Sequence, residues 1–313
     1  MKNPACALHN KKEVFSPIFC ISLNKLDDFL QDSIYFRDVK ARTRSPSLRF
    51  GESENGEEKI YAFDKFSMHH DYVINDSLGK RFVEITNDNN EIHSTGNVVP
   101  GAMTVSKIIL PLEILIPELE ISNINVKFTN RSLYGEKTRN IFSFQFTSNE
   151  YIQIEVNTIQ LQKTVARALI TGKINTDKSL DIKVKEEDVN ETNLNVLREY
   201  FDTLAIESEA YLQKDDYRDY TYPLSYISAL PSAEIVKQME GEGGMINVLR
   251  MNFGNVERIP IIDAKGPEVK LARARERTTF NKIITEIITN LVTYYHGLAI
   301  VNPVAEFRGN TIL

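Results

Sequence analysis

Asp88 and His93 stand five positions apart in residues 85–103, which read Ile-Thr-Asn-Asp-Asn-Asn-Glu-Ile-His-Ser-Thr-Gly-Asn-Val-Val-Pro-Gly-Ala-Met. A carboxylate can bind and polarise water, and an imidazole with its ordinary pKa near ~6.5 can give or take a proton around neutrality. Gly101 then leads into the apolar run Val105-Ser-Lys-Ile-Ile-Leu-Pro-Leu-Glu-Ile-Leu-Ile, which predicts a buried helix over 103–118. A helix start offers unpaired backbone N–H groups and a partial positive charge, and both suit an oxyanion. Carboxylate, imidazole and oxyanion donor together are the parts for moving protons next to a carbonyl.

The same residues have a plainer reading. Asn, Asp and Thr favour turns, so Asp88 and Asn90 could be turn formers, with His93 an exposed side chain in a loop that caps a helix. Spacing alone leaves both readings open. His69 and His70 are adjacent, so in a strand they point to opposite faces and read as structural, while His9 and His296 have no assigned role.

The elements that must hold this stretch are legible on either side of it. Residues 81–85, Arg-Phe-Val-Glu-Ile, read as a short helix leading in. Beyond the buried helix, residues 124–128 alternate as a strand does, and Leu133-Tyr-Gly-Glu reads as a turn. Residues 140–146 and 151–156 read as an antiparallel pair, and 164–174 as a further strand. One helix followed by alternating antiparallel strands is the order of a sheet wrapped around a buried helix, an α+β arrangement.

The chain of 313 residues is long enough for two domains, each with a full core. A hydrophobic content of 42% with 26% charged residues fits a soluble globular protein, and the net charge of −6 speaks against general nucleic-acid binding. Cys6 and Cys20 lack metal-like spacing and fit a reducing interior. The amino-terminal residues carry no apolar core of signal-peptide length, and the apolar run at 108–116 is interrupted by Pro111 and Glu113 and too short to span a bilayer. The expectation is a cytoplasmic protein with no membrane contact.

Thr86-Asn-Asp88-Asn-Asn90-Glu-Ile92-His93, followed by Val98-Val-Pro-Gly101-Ala-Met103, resembles the hydratase motif of the MaoC-like hot-dog enzymes. That motif runs Asp, Asn, aliphatic, His, then an aliphatic-His-Gly-Met turn into a central helix. Asn87 and Glu91 stand where the family usually has Gly and Pro, Pro100 stands where it often has His, and the link from His93 to Gly101 is shorter than usual. The resemblance implies a double hot-dog, each half an antiparallel sheet wrapped around a central helix. It implies reversible hydration of a trans-2-enoyl thioester, or dehydration of a 3-hydroxyacyl thioester, in fatty-acid or polyketide-like metabolism. His93 would then act on the Cα proton, and Asp88, with Asn90 nearby, would bind the water. The amides of Gly101 and Ala102 would hold the thioester oxygen. Such a reaction needs no metal or redox cofactor, and its substrate would be an acyl-CoA or an acyl group on a carrier protein. An acyl-thioesterase, or a non-catalytic acyl-thioester-binding hot-dog partner, is the alternative.

Basic residues could meet the phosphates of such a carrier. Arg42 and Arg44 lie in a turn-rich basic stretch, and Arg273, Arg275 and Arg277 alternate on one strand face; ordinary solvated surface is the plainer reading of both.

The second half echoes the first. Ile109-Leu-Pro111 has a counterpart in Ala229-Leu-Pro231, Ile124-Asn-Val126 in Ile246-Asn-Val248, and Phe82 to Asp88 in Phe201 to Glu207, at offsets of 120, 122 and 119. The polar stretch between the halves gives an expected division into 1–176, a linker at 177–193, and 194–313. Glu207 and Leu212 stand where Asp88 and His93 would be, so the second half is expected to complete the pocket without chemistry of its own. Residues 240–244, rich in glycine, lack the Lys-Ser/Thr of a phosphate loop, and residues 283–301 read as strands. Two such double hot-dog chains could pair further as a homodimer.

Overall fold

The computed structural model describes residues 21–22, 34–37, 49–52, 59–62, 65–88, 90–116, 119–146, 151–174, 186–205, 220–238, 245–253, 259–279, 282–295 and 298–312. Strands β1 (Ile21–Ser22), β2 (Ile34–Arg37), β3 (Arg49–Glu52), β4 (Lys59–Ala62) and β5 (Lys65–Val73) come first. Helices α1 (Asp76–Thr86), α2 (Glu91–Thr95) and α3 (Gly101–Leu115) follow, then strands β6 (Leu119–Phe128), β7 (Lys137–Phe146), β8 (Tyr151–Gln160) and β9 (Lys163–Ile174). A 3-10 turn at Glu186–Asp188 precedes α4 (Glu191–Thr203), α5 (Leu224–Ala229) and α6 (Pro231–Gln238). Strands β10 (Met245–Asn252), β11 (Glu268–Thr279), β12 (Lys282–Tyr295) and β13 (Leu298–Ile312) end the described chain.

Ten strands form one antiparallel sheet in the order β11-β12-β13-β10-β6-β9-β8-β7-β5-β2, and β1, β4 and β3 make a separate small sheet. The two halves meet at β6 and β10, where Val126 faces Leu249 and Asn125 faces Arg250. Alternate residues of β8 (Ile152, Ile154, Val156) are buried, so one sheet face is packed and the other solvated.

The helix α3 lies in the packed face. Every residue from 102 to 112 is buried, because α3 is covered by the sheet on one side and by α5 on the other. Apolar residues on every side of it, interrupted only by Thr104, Ser106, Lys107 and Glu113, are the sequence signature of that enclosure. Pro111 inside α3 cannot donate to the carbonyl of Lys107. The Asn140 side chain on β7 donates to that carbonyl instead, at 3.0 Å, and so satisfies a buried acceptor. Helices α1 and α4 pack against each other, with the rings of Phe82 and Tyr200 5.9 Å apart.

Several boundaries differ from the sequence expectation. The helix expected at 103–118 runs from Gly101 to Leu115, and the short helix at 81–85 is the end of α1, which begins at Asp76. The strand expected at 124–128 begins at Leu119, and α4 begins at Glu191, inside the stretch expected to link the halves. Among the described residues no helix is long and apolar enough to cross a membrane.

Candidate active site

The helix α1 ends in a left-handed residue, Asn87 (φ 55°, ψ 33°). The Asn87 amide donates to Glu84 O at 3.3 Å and the Asp88 amide to Val83 O at 3.0 Å, which completes a Schellman turn. Only Gly and, less often, Asn enter this backbone region readily, which explains how Asn replaces the expected Gly here. The turn throws Asp88 inward, where it is 2% exposed. Asn90 then caps α2, its side chain accepting the Ile92 amide at 3.2 Å. Glu91 follows at the first helical position, where proline is favoured for its fixed φ and a carboxylate for the helix dipole.

His93 is the third residue of α2 and is buried. Its Nδ1 lies 3.0 Å from Val98 O. A carbonyl can only accept, so Nδ1 carries a proton, which in the neutral ring leaves the lone pair on Nε2. That lone pair faces Asp88, with Nε2 3.8 Å from Oδ2. Burial pushes the Asp88 pKa above the ordinary carboxylate value; His93, the Ser232 hydroxyl and the Asn90 backbone amide pull in the opposite direction without reversing it. Among the described residues none hydrogen-bonds Asp88 Oδ1. The site thus holds a buried carboxyl group, its pKa raised by desolvation, 3.8 Å from an imidazole nitrogen.

Gly101 is the first residue of α3, after Pro100. The amides of Gly101 and Ala102 have no intrahelical carbonyl to bind, because the first turn of any helix lacks those partners. A Cβ at Gly101 would lie 3.2 Å from the ring of Phe128, so the helix end sits close under β6.

Three contributors escaped the sequence reading. Ser232, on α6 of the second half, brings its hydroxyl to Asp88 and has Ala229 O, at 3.1 Å, as its other acceptor. Val98 fixes the His93 tautomer through its backbone. Tyr134 lies across α1 at Gly79, where a Cβ would be 2.1 Å from its ring, and its buried hydroxyl is unpartnered among the described residues. Burial, with the charges of Asp76 and Asp88, pushes the Tyr134 pKa up. Only Tyr134 left a sequence trace, as a large aromatic in a polar turn.

Arg273 and Arg275 stand on β11, the edge strand of the sheet, where residues of both parities are exposed. Arg42, Arg44, Glu207 and Leu212 lie outside the described residues.

No protein-family model matches the sequence, and no curated protein matches it. Among solved structures, a MaoC-like dehydratase superposes with a TM-score of 0.51 at 8% identity, over 78% of this chain and 97% of that one. The chain has the fold of the MaoC-like dehydratases. Its sheet and buried helices form the double hot-dog that the motif implied, an α+β fold. A MaoC-like dehydratase from Phytophthora capsici gives 0.48 at 11% identity, over 78% of this chain and 95% of that one. A Mycobacterium tuberculosis protein with a double hot-dog fold gives 0.49 at 8% identity, over 77% and 93%.

Proposed function

We propose that the chain catalyses the reversible interconversion of a 3-hydroxyacyl thioester and a trans-2-enoyl thioester carried on coenzyme A or an acyl-carrier protein. The observation that carries this reading is the buried Asp88–His93 pair, 3.8 Å apart, with the His93 proton committed to Val98 O. In the dehydration direction His93 Nε2 takes the Cα proton. The Cα–H electrons form the double bond, and the Cβ–O bond breaks. Asp88 gives its proton to the departing hydroxyl, which leaves as water. The raised pKa of Asp88 suits it to this acid role. Charge gathers on the thioester oxygen meanwhile, and the Gly101 and Ala102 amides at the positive end of α3 receive it. Hydration runs the same steps backwards, with Asp88 as base and protonated His93 as acid.

In this reading Asn90 supports the site by capping α2. The second half contributes Ser232, which keeps Asp88 from becoming too weak an acid. Arg273 and Arg275 are proposed as contacts for carrier phosphates on an exposed strand.

The test is the enoyl-thioester absorbance with crotonyl- and longer enoyl-coenzyme A, then with the same acyl groups on a carrier protein, for wild type, Asp88→Asn and His93→Ala. Loss of the band in wild type alone supports the proposal. Release of free thiol without a hydroxyacyl product would point to the thioesterase alternative. A band that persists in wild type on every carrier would overturn the enzyme reading.

A further inference from the structure

Gln160, the last residue of β8, is 3% exposed, and both ends of its side-chain amide are engaged. Its Oε1 accepts the Leu133 amide at 2.8 Å, and its Nε2 donates to Leu133 O at 3.0 Å. The same Nε2 donates to Thr138 Oγ1 at 2.8 Å and has Ser132 Oγ within 3.3 Å. Gln160 thus pairs with Leu133 as a neighbouring strand would.

Leu133 in turn forms an antiparallel bridge with Val98. The bonds that close this bridge come from the flanking residues: Val99 N to Ser132 O at 2.9 Å, and Tyr134 N to Asn97 O at 3.4 Å. The bridged residues therefore direct their own amides and carbonyls away from each other. On one side Leu133 meets Gln160, and on the other the Val98 carbonyl meets His93 Nδ1. The result is a continuous ladder: side-chain amide, Leu133, Val98, imidazole.

We infer that Gln160 is a positioning residue for His93, acting through the Leu133–Val98 bridge to hold the acceptor that keeps the imidazole proton on Nδ1. Residues 129–136 are an irregular connection between β6 and β7, tied at its ends by Thr129 N to Val165 O at 2.9 Å and Gly135 N to Ile74 O at 2.8 Å, while the outward amide and carbonyl of Leu133 have no backbone partner among the described residues. Gln160 supplies the partner for both of those groups. Without it Leu133 loses both outward partners, and the bridge rests on its two flanking bonds alone. The Val98 carbonyl is then held less firmly toward Nδ1, so that the imidazole can place its proton on Nε2, where it blocks the base. The inference deepens the hydratase reading and depends on it only for the rate.

The test is ¹⁵N NMR of the histidine rings, with the His93 signals assigned by their loss in His93→Gln. Wild type is expected to show protonated Nδ1 and bare Nε2 at His93. Gln160→Met, nearly the same size but without hydrogen bonds, is expected to show a mixture including protonated Nε2. Its kcat for hydration should fall roughly 10- to 100-fold, as for other groups that orient a catalytic side chain, with KM within about twofold if binding is untouched. Should Gln160→Met not fold, Gln160→Glu keeps the size and the acceptor, loses the donor, and answers the same question. A folded variant with the wild-type tautomer and kcat overturns the inference, whatever the wild-type activity. A tautomer that follows Gln160 in a chain without hydratase activity supports this inference and overturns the proposed function alone.

Discussion

The ends of α1 and α4 are built alike and used differently. Each helix is followed by a non-glycine residue in the left-handed region, Asn87 (φ 55°) after α1 and Ala205 (φ 51°) after α4, and the two helices pack together. Each end is also approached by a polar group from the opposite half. At α1 this is the Ser232 hydroxyl beside Asp88; at α4 it is the Lys107 ammonium, which donates to Leu204 O and lies 5.3 Å from the centre of the Tyr72 ring. Both charges are buried and both are shifted toward the neutral form: Asp88 upward, Lys107 down to about 7, in each case chiefly by desolvation. The difference is in the partners. Asp88 faces an imidazole nitrogen 3.8 Å away in the site pair, whereas the Lys107 ammonium is taken up by a carbonyl and a ring face, with the buried His70 imidazole nearby. Burial perturbs a pKa at either place, but only at α1 does the perturbed group belong to the stretch that runs into Gly101 of α3, the helix end suited to receive a substrate's charge.

The largest effects should fall on one side of this comparison. Asp88→Asn and His93→Gln are each expected to lower the hydration rate by ~10²- to 10⁴-fold, while Lys107→Met should stay within about tenfold, measured by enoyl absorbance. Equal losses in all three would erase the distinction. Stability should move the other way for the carboxylate: removing a charge that burial disfavours, Asp88→Asn is expected to raise the thermal midpoint at pH 7 in calorimetry.

Next in size is Gly79→Ala, whose methyl would meet the Tyr134 ring at 2.1 Å against the wall of the active end. A loss of about 1–3 kcal/mol in urea unfolding is expected, and wild-type stability would show that Tyr134 is free to move aside.

The Lys107 side is sharpened by pH. Its folded pKa of about 7 lies below the ordinary 10.5, so between those values the unfolded chain binds the extra proton and stability rises with pH. Urea midpoints of wild type should therefore climb relative to Lys107→Met from pH 7 to pH 10; parallel curves would show that Lys107 is not held neutral by the fold. His70, lowered to about 3 mainly by burial, acts at the acid end: between about 6.5 and 3 the unfolded chain binds a proton that the folded chain does not, so stability falls as pH drops through that window.

The smallest effect is expected from Ser232→Ala. Its hydroxyl favours the charged form of Asp88, so removal should move the acid limb of the hydration pH profile to higher pH, with kcat at its optimum within about tenfold. An unmoved limb would remove Ser232 from the site.

Much of the first half was legible in the sequence because its signals are local. The Asp88–His93 spacing, the glycine before an apolar run and the alternating strands are each set by residues within a few positions. Lys107 and Gln160 left weaker marks: a lysine inside an apolar helix, and a glutamine at an inward-facing position of an alternating strand. Either mark says that a buried polar group must have partners, without saying which. Ser232 left no mark, since a serine two residues into a helix is ordinary and Asp88 lies in the other half.

By itself the sequence determined the chemistry on offer: a carboxylate and an imidazole at a fixed spacing, a helix start to receive charge, and helices and strands of the right period. Tertiary structure alone decided the rest. It set the proton of His93 on Nδ1 by placing the Val98 carbonyl there, raised the pKa of Asp88 by burying it, and brought Ser232 to it from the second half. The physical reason is range. Backbone preference and hydrophobic period act over a few residues, whereas desolvation and hydrogen-bond pairing depend on what the folded chain brings within about 4 Å, however far apart it lies in sequence.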